Sequence, residues 1–281
     1  MQTTMERSQG HAIVSFKCRA ASTVIDDLYQ QGSAKVRIVR TEPHRIFEAV
    51  LINTTGGITD GDEFKADITW GQNTRAIVTT QACERYYRSI GKPAKISTQL
   101  NVENNACALW LPQEGIMFDG ANYQRNTAVE LGQNARLLAV ESSVFGRLAM
   151  GELIKTGSAR ECWQVRINDR LVFAEALGLE GNISRKLDQP AIAGGAKAVA
   201  TIVYAGPDND VFRNEINQII TCNDMQGRAT SFDQLTITRL FAPTAQILRD
   251  NSVTLLNVLI KKMVPDMGGS NSSLLPRVWS L

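Results

Sequence analysis

Histidine is nearly absent from this chain: His11 and His44 are the only two in 281 residues. Catalytic triads and most zinc or non-haem iron centres need at least one placed imidazole, often two or three. The scarcity weighs against both classes. His11 falls in an N-terminal stretch expected to be loose, and His44, between Pro43 and Arg45, is expected in a surface turn. Cysteine offers no substitute. Cys18, Cys83, Cys107, Cys162 and Cys222 are odd in number and far apart, with no Cys-x-x-Cys. That suits reduced thiols in a cytoplasmic protein better than a disulfide framework or a zinc cage. Excess charge of one sign is also missing. The formal net charge is +2, with no run of five like charges, so neither nucleic acid nor an anionic membrane is expected as a partner. No apolar run approaches the ~20 residues that span a bilayer. The start, Met1-Gln-Thr-Thr-Met-Glu-Arg7, lacks the apolar core of a secretory signal.

What is present is strand pattern. The chain is 43% hydrophobic, enough to fill a core. Period-2 alternation predicts strands at 34–39, 46–52, 63–69, 75–80, 95–102, 106–111, 126–131, 135–141, 161–167, 170–174, 197–204 and 234–240. Short gaps such as Trp70-Gly-Gln-Asn73, Glu103-Asn-Asn105 and Gly132-Gln-Asn134 carry turn residues, and Asn168-Asp169 predicts a tight hairpin. Two helices are expected, 210–221 and 244–263. The second has Thr244 as N-cap, Lys261 and Lys262 at the C-terminal dipole, Pro265 as a stop, and a flexible linker Gly268–Ser273 beyond it. There is no βαβ rhythm, which weighs against Rossmann and TIM architectures. The expected fold is a mainly-β single domain, residues 1–281, with many short strands and two α-helices in the C-terminal half. Residues 1–33 and 264–281 are expected to be loose or ordered by a partner. Periodicity does not choose between sandwich, barrel and β-helix.

Four segments carry charge or glycine in concentrated form. Asn53-Thr-Thr-Gly-Gly-Ile-Thr-Asp-Gly-Asp62 has neither the Lys nor the helix of a phosphate loop. Its Asp60 and Asp62 fall short of the six to eight oxygens that calcium takes. A glycine-permitted bend is the alternative. Leu111-Pro-Gln-Glu-Gly-Ile-Met-Phe-Asp-Gly120 sets Glu114 and Asp119 in an apolar connection, as a carboxylate pair or as a surface loop. Glu141-Ser-Ser-Val-Phe-Gly-Arg-Leu-Ala-Met-Gly-Glu152 offers Arg147 to Glu141 or Glu152, and its serines lack a nucleophile elbow. Thr79–Ser89 mixes Arg85, Tyr86, Tyr87 and Arg88, a composition that suits a partner surface better than single-stranded nucleic acid.

Taken in order, these segments resemble the urease accessory proteins called UreD or UreH. Asn53–Asp62 resembles that family's Asn-Pro-Pro-Gly-Gly…Gly-Asp. Thr80–Ser89 matches its Thr-Gln-Ala…Tyr-Arg-Ser, and Leu111–Arg125 its Leu-Pro-Gln-Glu…Phe-Asp-Gly-Ala…Tyr-Arg-Arg. Gly146–Glu152 matches Gly-Arg…Met-Gly-Glu, and Pro276-Arg-Val-Trp279 its terminal Pro-Arg-hydrophobic-Trp. Thr54-Thr55 depart from the two prolines, and Glu175 stands where relatives often show Asp. The resemblance implies a helix-like stack of strands and a chaperone-like scaffold rather than an enzyme. It implies a complex with UreF and the GTPase UreG that docks on apo-urease. No tightly bound cofactor is expected, only nickel(II) in transit through an internal water-filled passage. The candidates for lining it are Asp60, Asp62, Glu114, Glu141, Glu152 and Glu175. Spaced carboxylates hold nickel weakly enough to release it. Two other classes compete: a β-rich hydrolase using paired carboxylates such as Glu114 and Asp119, and a β-solenoid interaction module without metal traffic. The scaffold class further predicts an exposed apolar patch that includes Trp279 and helix 244–263.

Overall fold

The computed structural model describes residues 7–39, 46–265 and 274–280. His44 and Gly268–Ser273 lie outside them. Two hairpins open the chain: β1 (Gln9–Arg19) with β2 (Ser22–Gly32), and β3 (Ala34–Val39) with β4 (Phe47–Asn53). The chain then winds through β5 (Glu63–Trp70), β6 (Arg75–Thr80), β7 (Glu84–Tyr86), β8 (Ala94–Val102) and β9 (Cys107–Leu111). It continues through β10 (Gly115–Met117), β11 (Asn122–Leu131), β12 (Arg136–Phe145), β13 (Ser158–Ile167) and β14 (Arg170–Glu180). Helix α1 (Ile183–Leu187), β15 (Ala198–Ala205), α2 (Asn209–Cys222), β16 (Gln226–Phe232), β17 (Leu235–Ala242) and α3 (Ala245–Met263) complete it. The mainly-β single domain is as expected, with the five-residue α1 added to the two expected helices.

The strands alternate between two sheets. One runs β14-β13-β11-β8-β5-β1-β2; the other runs β16-β17-β15-β12-β9-β6-β4-β3, with β10 beside β12 and β7 beside β10. Within the first, β1, β5, β8, β11 and β13 pair in parallel, and within the second so do β4, β6, β9 and β12. Each coil thus lays one strand on each sheet, a solenoid-like stack of about four turns. Glu63 pairs with Lys95, and Arg75 with Cys107. Residues about one coil apart therefore sit on top of one another.

Asparagine makes the stack's tight corners. Asn73, Asn105, Asn134 and Asn168 all take positive φ, between 49° and 60°, a region that Asn tolerates better than most residues. The corners lock to each other through the backbone: Asn73 N–H donates to Asn104 O, and Asn105 N–H to Gln133 O.

Beside a smaller cluster around Tyr86, Met117, Tyr123 and Phe145, two main apolar cores result. Trp70, Trp110 and Trp163 anchor the one between the sheets. The other lies between the second sheet and helices α2 and α3. The second sheet is buried on both faces, so β12 and β15 are buried almost throughout, on both parities of the strand. Thr244 caps α3 by accepting from Ile247 N–H at 3.3 Å.

The described residues near both ends differ from expectation. Residues 9–32 are not loose: Ala12, Val14 and Phe16 of β1 enter the inter-sheet core, and β2 holds on through backbone bonds despite its polar face. His11 meets Asp67 at 2.6 Å. Leu274, Leu275 and Trp279 are buried in the helix-side core, and Trp279 Nε1–H donates to Leu111 O at 3.1 Å. Trp279 and the inner face of α3 are therefore core, not an exposed patch, because they cover each other and the second sheet.

Replacing Asn105 by Val should lower stability by about 1–2 kcal/mol, the cost of forcing a β-branched residue into the left-handed region, while Asn105→Gly should stay within about 0.5 kcal/mol of wild type. Urea unfolding midpoints measure both. Equal midpoints for Val and Gly would contradict the role given to this corner.

Candidate functional site: a charged seam between the sheets

Side chains alternate along each strand, so every second residue faces the space between the sheets. Most are apolar, but one row is not. On the second sheet Glu141 pairs in register with Thr201, and Thr201 with Arg239. On the first, Thr127 neighbours Thr98 and Trp163, and Trp163 neighbours Glu175. Facing rows meet in a charged seam.

Arg125 is its hub. The residue is 7% exposed, and its Nη2 lies 2.8 Å from Glu161 Oε2. Its Nε lies 3.3 Å from Glu141 Oε2 but makes no hydrogen bond. Glu161 Oε1 also accepts from Tyr123 at 2.7 Å and Ser143 at 2.6 Å. Glu141 Oε1 accepts from Thr127 at 2.6 Å and, weakly, from Trp110 Nε1–H at 3.5 Å. At the other end of the seam Arg239 pairs closely with Glu175 and donates to Thr201 Oγ1.

Burial and partners push the two inner carboxyls apart. Burial raises Glu141 above the usual carboxylate range, with Arg125 and the Thr127 hydrogen bond only partly opposing it. Burial also pushes Glu161 up, but the Arg125 charge and the bonds from Ser143, Tyr123 and Arg125 outweigh it and hold the group low.

A cavity of about 220 Å³ opens onto this hub. Exposed Gln81, Ala82 and Arg85 line its outer part, and buried Trp110, Arg125 and Glu141 its inner part. Glu84 lines it too; burial raises its carboxyl against the opposing bond from Asn53. A second hollow of about 200 Å³ is lined by Glu175 and Arg239. The donors along the seam are oxygens. Among the described residues, no group of three or more His, Cys, Asp or Glu is gathered to hold a metal tightly.

Of the six candidates, the structure brings Glu141 and Glu175 to the seam and places four elsewhere. Asp60 takes Arg7 at 2.6 Å and Ser89 at 2.9 Å beside a surface hollow. Asp62 accepts the backbone N–H groups of Ser8 and Thr59. Glu114 holds Arg249 at 2.7 Å, and Arg249 stacks over Trp279. Glu114 and burial together push the neighbouring Cys83 thiol up to about 11, burial contributing more. Glu152 pairs with Arg147 at 2.9 Å, and that pairing holds its carboxyl low. Arg147 thus takes Glu152, not Glu141. Asp119 accepts the Lys155 and Thr156 N–H groups, sharing no hydrogen-bond or ion-pair partner with Glu114 among the described residues. The glycine loop is the expected bend: Gly57, at φ 152°, lies under Tyr87, where a Cβ would come within 2.2 Å of the ring. Where the family has prolines, Thr55 instead bonds Asn53 Oδ1 through its N–H and its hydroxyl.

Arg125, Glu161, Glu84 and Arg239 were not among the six. A signal for the first two exists in the sequence. Arg125 is in phase with Val129 and Leu131, and Glu161 with Trp163, Val165 and Ile167. A charge on the apolar parity of a strand must be paired inside.

Fold and site together define a class: a stacked-coil β scaffold with a charged, histidine-free interior seam. The family model described as UreD urease accessory protein matches residues 8–280. The chain belongs to this family. It is 35% identical over 279 residues to urease accessory protein UreD of Rhizobium leguminosarum bv. viciae, covering 99% of this chain and 97% of the relative. It is 35% identical over 283 residues to urease accessory protein UreD 1 of Brucella ovis, covering 99% and 96%. No helix among the described residues is long and apolar enough to cross a membrane.

Two tests follow from the ion pairs. Glu114→Ala should cost about 3 kcal/mol, because it strands Arg249 partly buried against Trp279; thermal melts check it. Glu141 behaves oppositely. Its folded-state pKa is raised, so the folded chain binds the extra proton. Stability should then fall as pH rises from the ordinary carboxylate range through the raised value. Glu141→Gln should remove that fall and melt no lower than wild type at pH 7.5. A lower melting point there would show that the Glu141 charge stabilises the fold.

Proposed function

We propose that this protein is a non-enzymatic scaffold of urease maturation in the cytoplasm. In this reading it works in a complex with UreF and the GTPase UreG, docks on apo-urease, and passes nickel(II) along the seam. Membership of a family of urease accessory proteins supports the maturation role. The observation that carries the passage is the cavity reaching buried Glu141, a carboxylate with one oxygen free of strong hydrogen bonds. Its donors suit transit. Hard oxygen ligands spaced along a wall bind nickel weakly, whereas His and Cys clusters would hold it. Glu175 would serve the far end, and Glu84 the outer part. Asp60, Asp62, Glu114 and Glu152 fit the supporting corners better than the wall. The hydrolase reading loses its pair, since Glu114 and Asp119 are held separately.

In cells that express urease and its accessory proteins, deleting this protein should leave urease soluble but low in nickel and activity. Glu141→Gln should lower the nickel content of urease at least several-fold while pull-down of the accessory partners stays intact. Normal nickel loading in the deletion strain would overturn the maturation role. Normal loading with Glu141→Gln alone would overturn only the passage.

A further inference from the structure

We infer that Arg125 is a built-in counterion that competes with a divalent cation for Glu141, with Glu161 as the place it retreats to. This deepens the passage proposed above and rests on it. The three groups do not share evenly. Arg125 is one cation between two carboxylates, and all three are largely screened from water. Its contact with Glu161 is the shorter one, at 2.8 Å, the same Nη2 donates to Ser143 Oγ at 3.0 Å, and Tyr123 and Ser143 fix that carboxylate from its other oxygen. Its approach to Glu141 is longer, at 3.3 Å, and Nε is left as a buried donor without an acceptor. The weak arm points to the carboxylate that lines the cavity; Glu161 does not line it.

The asymmetry sets a direction. An arriving divalent cation meets Glu141 Oε2, whose ion-pair partner among the described residues is the loosely placed Arg125 Nε. Displacing that contact breaks no hydrogen bond, because Nε makes none, and leaves the Arg125–Glu161 pair whole. When the cation leaves, Arg125 is still within reach to neutralise Glu141. The guanidinium keeps its charge throughout, so no proton has to move. Without it, two carboxylates within reach of a single guanidinium would face one another unscreened and trap a cation. Arg125 is thus a positioning residue that keeps the site weak. At the far end of the seam Arg239 neutralises Glu175 by a direct hydrogen-bonded pair instead.

The test is direct binding of Ni²⁺ to the purified full-length chain, by competition against a chromophoric chelator, with circular dichroism as the check on folding. Arg125→Met should bind Ni²⁺ at least tenfold more tightly than wild type, and adding Glu141→Gln should abolish the gain. Glu161→Gln, which keeps the side chain's shape, should throw Arg125 wholly onto Glu141 and weaken binding below wild type. If Arg125→Met does not fold, the Glu161→Gln arm decides alone. Unchanged affinity in whichever of these variants folds overturns the inference, as does tight binding that survives Glu141→Gln. Because the readout is binding in vitro, it is separate from the loading of urease in cells. Nickel loading can fail to respond to Glu141 while the counterion exchange stands, and the reverse.

Discussion

Parallel stacking is the constraint on which the rest of this structure depends. Once coils pile up in register, a residue's neighbour is the one a coil away, not the one beside it in sequence. Asn53 therefore reaches Glu84, Cys83 reaches Glu114, and Trp110 reaches Glu141, each pair 31 residues apart. The same rule puts an asparagine corner over an asparagine corner. It also lines up polar side chains across strands whose sequences show no relation. A seam of charge through an apolar core is affordable only because stacking supplies each member with a partner in the next coil.

That seam is costly to maintain. Taking a carboxylate or guanidinium out of water costs several kcal/mol per ion, and mutual attraction recovers it only with good geometry. Glu161 has such geometry, with three donors on two oxygens. Glu141 does not, and burial wins there. A well-packed apolar pair at these positions should fold at least as stably. A poorly satisfied carboxylate beside a cavity suits a binding role better than a folding one.

The sequence carried the strands well and the site poorly. Segments 34–39 and 75–80 coincide with β3 and β6, and the Thr244 cap places the start of α3, because each depends on residues close together in the chain. The first hairpin escaped because β2 alternates little and is held by backbone bonds. Trp279 was misplaced for a different reason: its partners Leu111 and Arg249 lie far away in sequence. The coil period escaped as well. Its spacing runs from 28 residues, as from Gly115 to Ser143, to 36, as from Asn122 to Ser158, and reaches 54 between Gln9 and Glu63, where the second hairpin intervenes. A repeat of backbone geometry leaves little trace when only its corners demand particular residues.

The same non-local rule separates the six acidic candidates more sharply than their motifs do. Asp60, Asp62, Glu114 and Glu152 each end on a cation or on backbone N–H groups that need an acceptor. Their negative charge is used up in holding corners, loops and the C-terminal tail. Glu175 is also paired, but with an arginine that lines a hollow. Glu141 is the exception, with an oxygen that accepts no hydrogen bond among the described residues and a neighbouring arginine already committed elsewhere. A motif shows that a carboxylate is present; how many donors converge on it decides whether any of its charge is left for a visiting ion. On that measure the glycine-rich loop, the most conspicuous segment of the sequence, is architecture. The unremarkable Glu141, on a strand buried almost throughout, is the candidate with a carboxylate oxygen left to offer.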